Sequence, residues 1–503
     1  MVRRSFAWFL ACFVPVLWAD FAQASHAEVN ATTDAQFYTY ASPFGQPTVR
    51  RRRYTQTLSL HVYDIVGDGA PQGPDLSFKM RLRMDSDFGQ LDAERDPNSQ
   101  GRYVPGLEQA PLDVMYAYLE GNNYLGGLMG FRLGRQYVMD SLGFWSFDGG
   151  LVRLTTPVHL QAEAYGGFEQ RGGLPAMLGT SRYSADGVYR GNRDDLELGF
   201  YPHYLEESQL APAYGFALES SGLHFLSARV SYRKVINRDA VVSSPFRGPD
   251  GSLLIVGGDR VSSERLGSSL RLSEPSLGAL RGSVVYDFYN QVISDYAAAL
   301  DWYTTDAITL GADYDYYYPT FDGDSIWNWF THSGMTSAQG RAEFRPSRTW
   351  DVAASGGVRL FETEGDSGTY RAQSEAGVDP DRSQTGRLSD VVGSLSGRYR
   401  WADGGVELRG MGETGRRGHR VGGDATTRQS FDGRYDGMVI LSLYDWDDAL
   451  RPSRDATSFS YVLGAGYAPV TRTRVGVEWE HALNRLVGQR YRVLATLDFT
   501  VLD

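Results

Sequence analysis

The chain has 503 residues, of which 42% are hydrophobic and 22% charged, and its formal net charge is −12 at pH 7. This acidic balance argues against nucleic acid as a partner, because nucleic-acid binding relies on a surplus of Lys and Arg. Beyond the N-terminus no run of about 18 apolar residues occurs, which argues against a protein built from membrane-spanning helices.

Residues 1–24 are predicted to be a secretory signal peptide. The basic pair Arg3-Arg4 precedes an apolar core, Phe6–Val16, and an A-x-A cleavage site ends at Ala24. An N-terminal membrane anchor is the alternative, but polar and proline residues interrupt the segment. Cys12 is the only cysteine and lies inside this segment, so the cleaved chain would have no disulfide, thiolate metal ligand or cysteine nucleophile.

Residues 25–51 are predicted to form a periplasmic lead-in, with an additional strand in 35–50 as the alternative. From residue 52 onward, apolar and polar residues alternate with a period of two, as in a β-strand. In residues 76–89 one face is apolar from Leu76 to Met84, and the other carries Lys79, Arg81, Arg83 and Asp85. A charge facing lipid at the bilayer midplane costs about 2–4 kcal/mol, so four charges on one face indicate water on that side.

The fold class predicted from this pattern is all-β: one transmembrane antiparallel β-barrel over residues 52–503. About 20 strands are expected, with 16–18 as alternatives, joined by short periplasmic turns and long extracellular loops. Aromatic residues crowd the strand ends, as in the interfacial belts of membrane barrels. A soluble β-sandwich or propeller is the alternative fold. The longest connection, 167–211, contains apolar stretches and is predicted to fold into or over the barrel mouth.

One segment resembles a known family. Residues 131–167 read FRLGRQYVMDSLGFWSFDGGLVRLTTPVHLQAEAYGG, similar to a pattern in Gram-negative outer-membrane porins, loosely the alginate-export type. In that pattern a strand ends in Gly-Arg-Gln, the chain crosses an aromatic turn, and a strand restarts after Asp-Gly. The matching residues are Gly134, Arg135, Gln136, Trp145, Asp148 and Gly149.

This resemblance implies a bacterial outer-membrane location, with outer-membrane lipid and the barrel-assembly machinery as partners. The last strand is similar to the signal that the machinery reads, with Tyr491, Leu497 and Phe499, but it ends in TVLD rather than on an aromatic residue. That ending departs from the family pattern.

Sequence motifs for chemistry are scarce. The chain has no P-loop, H-E-x-x-H, nucleophile elbow or dinucleotide fingerprint, and its eight histidines show no close pair with metal-ligand spacing. We therefore expect no catalytic residues, no metal, no cofactor and no enzyme activity.

Charged residues at inward positions are the predicted pore-lining set. Besides the four charges in 76–89, the basic members are Arg229, Arg233, Arg265, Arg271 and Arg281. The acidic members are Asp295, Asp301, Asp313 and Asp315. Facing basic and acidic walls would give a transverse field, whereas neighbouring strands that neutralise each other are the alternative. Counting from a turn near Gln291 places Arg281 near Asp301.

Two functions follow from the sequence. The first is a porin-like channel for passive diffusion or export of small polar or charged solutes or saccharides. The alternative is a barrel that serves as a scaffold for a partner protein, an adhesin or an outer-membrane enzyme.

Overall fold

The computed structural model describes residues 26–42, 45–66, 73–87, 112–170, 211–238, 242–247, 253–256, 259–320, 334–363, 386–415, 417–448, 455–486 and 488–502. The predicted signal peptide and residues 171–210 of the connection predicted to cover the mouth lie outside these ranges.

The described chain is almost entirely β-structure. In chain order the strands are β1 (His26–Ser42), β2 (Gly45–Val66), β3 (Asp75–Asp87), β4 (Leu112–Asn123), β5 (Met129–Asp140), β6 (Gly143–Thr155), β7 (Leu160–Glu169), β8 (Pro212–Ser220), β9 (Leu226–Asn237), β10 (Val242–Arg247), β11 (Leu253–Val256), β12 (Arg260–Glu274), β13 (Gly278–Asp287), β14 (Val292–Thr305), β15 (Ile308–Tyr317), β16 (Met335–Phe344), β17 (Trp350–Thr363), β18 (Gly386–Trp401), β19 (Gly404–Gly415), β20 (Gly418–Phe431), β21 (Tyr435–Asp448), β22 (Ala456–Val470), β23 (Thr473–Asn484) and β24 (Gly488–Leu502). A short helical turn, Tyr124–Gly127, joins β4 and β5. No helix among the described residues is long and apolar enough to cross a membrane.

These strands form a closed antiparallel barrel of 22 strands. Each strand of the wall pairs with the next wall strand along the chain, β9 pairs with β12, and β1 pairs with β24 to close the wall. Strands β10 and β11 form a separate hairpin between β9 and β12. The predicted all-β barrel is confirmed, but the predicted count of about 20 strands is wrong, as are the alternatives of 16–18.

The two additional strands lie in places where the sequence pattern is weak. Strand β1 occupies most of the segment expected to be a lead-in, and it pairs with β2 from His26↔Tyr63 onward. Among the described residues the barrel wall therefore already includes His26–Ser42, upstream of residue 52. The other is one of the pair β6 and β7 in residues 143–169, a segment that carries the Gly-Gly sequences of both strands and alternates weakly.

Alternation along the strands gives the barrel an apolar outer face. Val230, Leu310 and Val477, at outward positions of β9, β15 and β23, are 48%, 38% and 48% exposed. Exposed aromatic residues flank this band towards the rim where β1 begins and β24 ends, here called the terminal rim: Trp302, Phe344, Trp350, Tyr399, Trp401, Tyr435 and Tyr467. A second set lies towards the opposite rim, here called the loop rim: Phe168, Tyr214, Tyr314, Phe459 and Tyr491.

Connections differ between the two rims. Those at the terminal rim are short, for example 306–307 and 402–403, whereas the loop rim has long connections such as 88–111 and 364–385. Some connections at the loop rim are also short. One of these, the two-residue turn 141–142 between β5 and β6, lies at the end of a hairpin that leaves the barrel wall.

Candidate functional site

The hairpin formed by β5 and β6 separates from its neighbour β4 halfway along its length. Strands β4 and β5 pair from Gly121↔Phe131 to Ala117↔Arg135, whereas β5 and β6 stay paired to the tip, Asp140↔Gly143. Gly134 lies at the point of separation with φ 127°, and a side chain there would overlap the carbonyl oxygen of Ala117. Only glycine accommodates both constraints, so Gly134 lets the hairpin bend away from the wall.

The tip of the hairpin lies against the inner faces of β9 and β12. Arg233 of β9 donates from Nη2 to the carbonyl oxygen of Leu142, at 3.0 Å. Arg229 Nη2 lies 3.8 Å from Asp140 Oδ2, and Ser141 lies directly against Gly267 of β12. The hairpin therefore crosses the inner faces of β7 and β8 inside the lumen.

One face of the hairpin packs on the wall through a buried apolar cluster. Its members are Val138, Trp145, Phe147, Leu151, Tyr165, Ala211, Ala213 and Val235. Phe147 is 0% exposed, and its ring stacks on Trp145 with centroids 4.4 Å apart. Burial of a side chain of this size contributes about 1.5–3 kcal/mol, so the inward position of the hairpin is stabilised by packing.

The opposite face of the hairpin is open to the lumen. Met139 and Phe144 are paired across the hairpin and are 74% and 67% exposed. Tyr137 is 37% exposed, and its ring centroid lies 6.0 Å from that of Tyr116 on the inner face of β4. The hairpin thus bridges two parts of the wall, β9–β12 at its tip and β4 at its side, and it narrows the lumen between them.

An ion pair lies at the base of the open face. Arg135 donates from Nε and Nη2 to the two carboxylate oxygens of Asp148, each at 2.7 Å. Its Nη1 donates to the carbonyl oxygen of Val114 on β4, at 3.1 Å, which satisfies a backbone group where the β4–β5 ladder has ended. Both residues belong to the segment singled out by its resemblance. Arg135 bridges the gap between β4 and β5, and Asp148 holds its guanidinium in place.

The charges predicted in 76–89 lie on the inner face of β3. The ladder places them opposite the inward residues of β2, for example His61↔Lys79. Lys79 donates to Glu120 at 2.6 Å, and Arg132 donates to the other carboxylate oxygen at 2.6 Å. Arg81 and Arg83 share this face, as does the backbone position of Asp85, whose side chain lies outside the described part of the structure.

A second cluster of charged residues lies beneath and beside the hairpin tip. Glu163 accepts from Arg229 at 2.7 Å and from Arg153 at 3.0 Å, and Arg229 also donates to Glu219 at 2.7 Å. Arg233 is only 5% exposed. Arg229 and Arg233, two of the residues predicted to line the pore, lie beneath the hairpin tip, where Arg233 bonds to the backbone of Leu142 and Arg229 lies 3.8 Å from Asp140.

A third cluster of charged residues lies further along the wall, on β12, β13 and β14. Arg265 pairs with Asp287 at 3.1 Å, and the exposed Arg271 faces Arg281 across the β12–β13 ladder. Arg281 Nη2 lies 3.1 Å from Asp301 Oδ2. The predicted proximity of Arg281 to Asp301 is therefore confirmed, although the ladder pairs Asp301 with Ala279 and the contact is diagonal.

Arg341 on β16 also belongs to this third cluster, although the sequence did not predict it as a pore-lining residue. It bonds to both Asp301 and Asp313, the latter at 2.7 Å. The expected basic and acidic walls are thus adjacent strands that largely neutralise each other here. Asp295 and Asp315 also lie on the inner face, and among the described side chains no cation lies within 4.0 Å of either.

The wall around β19–β24 is open to water. Arg409, Arg420 and Arg490 lie on inward positions of these strands and are exposed.

Within the described part of the chain, no group of three or more His, Cys, Asp or Glu side chains is close enough to hold a metal ion.

Comparison with known proteins shows likeness in fold only. No family model matches the chain, and no curated protein matches it. The siderophore receptor PirA of Pseudomonas aeruginosa has a TM-score of 0.50 at 9% identity, over 94% of this chain and 80% of that one. OccAB4 of Acinetobacter baumannii has a TM-score of 0.42 at 8% identity, over 96% and 99%. The outer membrane protein OpdK of Pseudomonas aeruginosa has 0.41 at 9%, over 94% and 98%.

The alginate-export resemblance of residues 131–167 is not shown by these matches. At 9% identity, the similarity to PirA extends to the architecture alone. The chain is therefore similar to this receptor in being a large closed antiparallel β-barrel.

Proposed function

We propose that the chain is a channel of a Gram-negative outer membrane, through which small polar or charged solutes pass a lumen narrowed by the β5–β6 hairpin. The apolar outer band between two aromatic belts supports a membrane position. A closed barrel suits this environment because it leaves no unpaired strand edge in lipid. The terminal rim, with its short turns, would face the periplasm, and assembly would depend on the barrel insertase.

The observation that carries the proposal is the inward hairpin. With strands about 4.8 Å apart and tilted by about 40°, a circular barrel of this strand number is about 44 Å wide at the backbone. A lumen of that width does not select small solutes unless something inside narrows it. The hairpin supplies such a constriction and leaves the wall of β19–β24 exposed to water.

The pore-lining assignment is part of this proposal. Lys79, Arg81, Arg83 and Asp85 would line the path beside the open face of the hairpin. Further round the wall the path would be lined by Arg271, Arg281, Asp295, Asp301, Asp313 and Asp315. Because much of this charge is internally paired, we expect weak rather than strict ion selectivity.

Conductance in planar bilayers tests the proposal. Replacement of residues 137–146 by Asn-Gly shortens the hairpin to its base and keeps a two-residue turn that suits a β-hairpin. The wild type should form stable channels, and the shortened variant should conduct at least twofold more. The matched control replaces the turn 288–291, which joins β13 and β14 at the loop rim, by Asn-Gly and should leave the conductance unchanged. A wild type that inserts but does not conduct would refute the channel, and equal conductances would refute the constriction.

A further inference from the structure

The tip of the hairpin presents apolar side chains where an aqueous channel needs polar ones. Met139 and Phe144 lie side by side and are among the most exposed large apolar residues described, at 74% and 67%. Leaving such groups in water forgoes the free energy that their burial would provide. An exposed apolar patch inside a polar lumen therefore marks a surface that binds something apolar.

The apolar tip continues into a strip of rings that reaches the wall. The ring of Phe144 stacks on Tyr137 with centroids 5.5 Å apart and planes at 29°. Tyr137 lies 6.0 Å from Tyr116, and Tyr116 lies 5.8 Å from Tyr118. These spacings lie within the range of favourable ring contacts, so the rings run without a break from the hairpin to β4. Tyr118 is only 7% exposed, so the accessible faces are those of Phe144, Tyr137 and Tyr116.

The charged side chains beside the strip form ion pairs with one another. Arg135 and Asp148 form a bidentate pair at its base, and Glu120 receives both Lys79 and Arg132. The polar side chain next to the tip, Ser146, already donates to Gln170 at 2.7 Å. The strip therefore offers ring faces, a thioether and the hydroxyls of its three tyrosines, while the charged groups named above are already paired.

We propose that the open face of the hairpin and the inner face of β4 form a binding strip for solutes with an aromatic ring. The inference rests on the proposed channel and specifies its solute class. An aromatic solute would stack on Phe144 and Tyr137 as it passes the constriction, while its polar groups remain in the water of the open lumen. Such a solute should interrupt the ionic current in a concentration-dependent manner.

The block by each probe is read from the noise that the probe adds to the ionic current of wild-type channels in planar bilayers. The probes are benzoate, cyclohexanecarboxylate and maltose; the first two carry the same charge, and only benzoate has an aromatic face. We expect benzoate to block at a concentration at least fivefold lower than cyclohexanecarboxylate. Equal block by the two acids, block by maltose at lower concentration than benzoate, or no block would overturn the inference.

Variants locate the site. Phe144→Ser and Met139→Ser change exposed side chains, so folding should persist, and each should weaken the benzoate block at least fivefold. The control is Tyr317→Ser, because Tyr317 is a 49% exposed tyrosine on β15, on an inward position away from the hairpin. A loss of block in the control equal to that in Phe144→Ser would refute the site. Absence of any channel would refute the proposed function. A channel that shows no preference for the aromatic probe would refute only this inference.

Discussion

The guanidinium of Arg233 on β9 lies over the indole ring of Trp145 on β6, 5.3 Å from the ring centroid. Strands β7 and β8 separate these two strands in the wall. Strands three positions apart are about 14 Å from each other within a sheet, so the contact exists only because the hairpin folds over the inner face. Arg233 also bonds to the backbone of Leu142 and thereby fixes both the side and the tip of the hairpin.

Arg233→Met should loosen the hairpin tip without unfolding the barrel. A desolvated contact of a cation with an aromatic ring contributes about 1–2 kcal/mol, which corresponds to roughly a tenfold change in an opening equilibrium. Amide hydrogen exchange in residues 138–146 should therefore be about tenfold faster in the variant. Arg281→Met is the control, since the described partner of Arg281 is Asp301 on β14 rather than a residue of the hairpin. Unchanged exchange in Arg233→Met would show that the arginine does not hold the tip.

Gly134→Ala should destabilise the barrel at the point where β5 leaves β4. The backbone there has φ 127°, and a methyl group would meet the carbonyl oxygen of Ala117. Strain of this kind costs about 1–3 kcal/mol, so the temperature at which the folded form is lost on a heat-modifiability gel should fall. Gly340→Ala is the control, because the nearest atom to an added methyl there, the oxygen of Gly311, lies 4.0 Å away. Equal transition temperatures for the two variants would contradict the strained bend.

Arg281→Glu should shift permeability towards cations. Arg281 is half-exposed and lies 3.1 Å from Asp301, so the change removes one positive charge and adds a negative charge beside two aspartates on the inner face. Reversal potentials in asymmetric KCl measure the cation-to-anion ratio, which should rise. Lys234→Glu makes the same change of charge on the outer face of β9, next to Glu264, and should leave the ratio unaltered. If both variants behave alike, Arg281 does not line the conduction path.

The alternation of apolar and polar residues is enough to predict most of the strands in the barrel wall. Where one face meets lipid and the other meets water, as in β3 and in β9 up to Arg233, apolar and polar residues alternate, and the face of each residue can be read from the sequence. Strand β1 lacks this contrast because its outward positions include Ala31, Thr33 and Ala35, which differ little in polarity from their neighbours. For that reason the sequence pattern predicts a lead-in where the structure has a barrel strand.

The hairpin could not be predicted from the same pattern. Its wall face carries Val138 and Trp145, and its lumen face carries Met139 and Phe144, so both faces are apolar and the period of two disappears. The sequence consequently predicts an aromatic turn between strands at this place. The contact of Ser141 with Gly267 joins residues far apart in sequence, and no local pattern encodes it.

A disulfide between Ser141→Cys and Gly267→Cys tests the inward position of the hairpin most directly. A Cβ at position 267 would lie 3.3 Å from that of Ser141, and a small backbone shift brings this to the roughly 3.5–4.5 Å that a disulfide needs. The chain's one natural cysteine, Cys12, lies in the predicted signal peptide, so the cleaved barrel contains only the two introduced thiols.

The readout is the fraction of thiols in the membrane-inserted barrel that remain open to maleimide labelling after mild oxidation. The control pair combines Ser141→Cys with Ser355→Cys on the inner face of β17, five strands beyond β12 along the wall. An inward hairpin predicts nearly complete protection of the first pair and full labelling of the control pair. Full labelling of both pairs would contradict a hairpin that reaches β12, and with it the constriction on which the proposed channel rests.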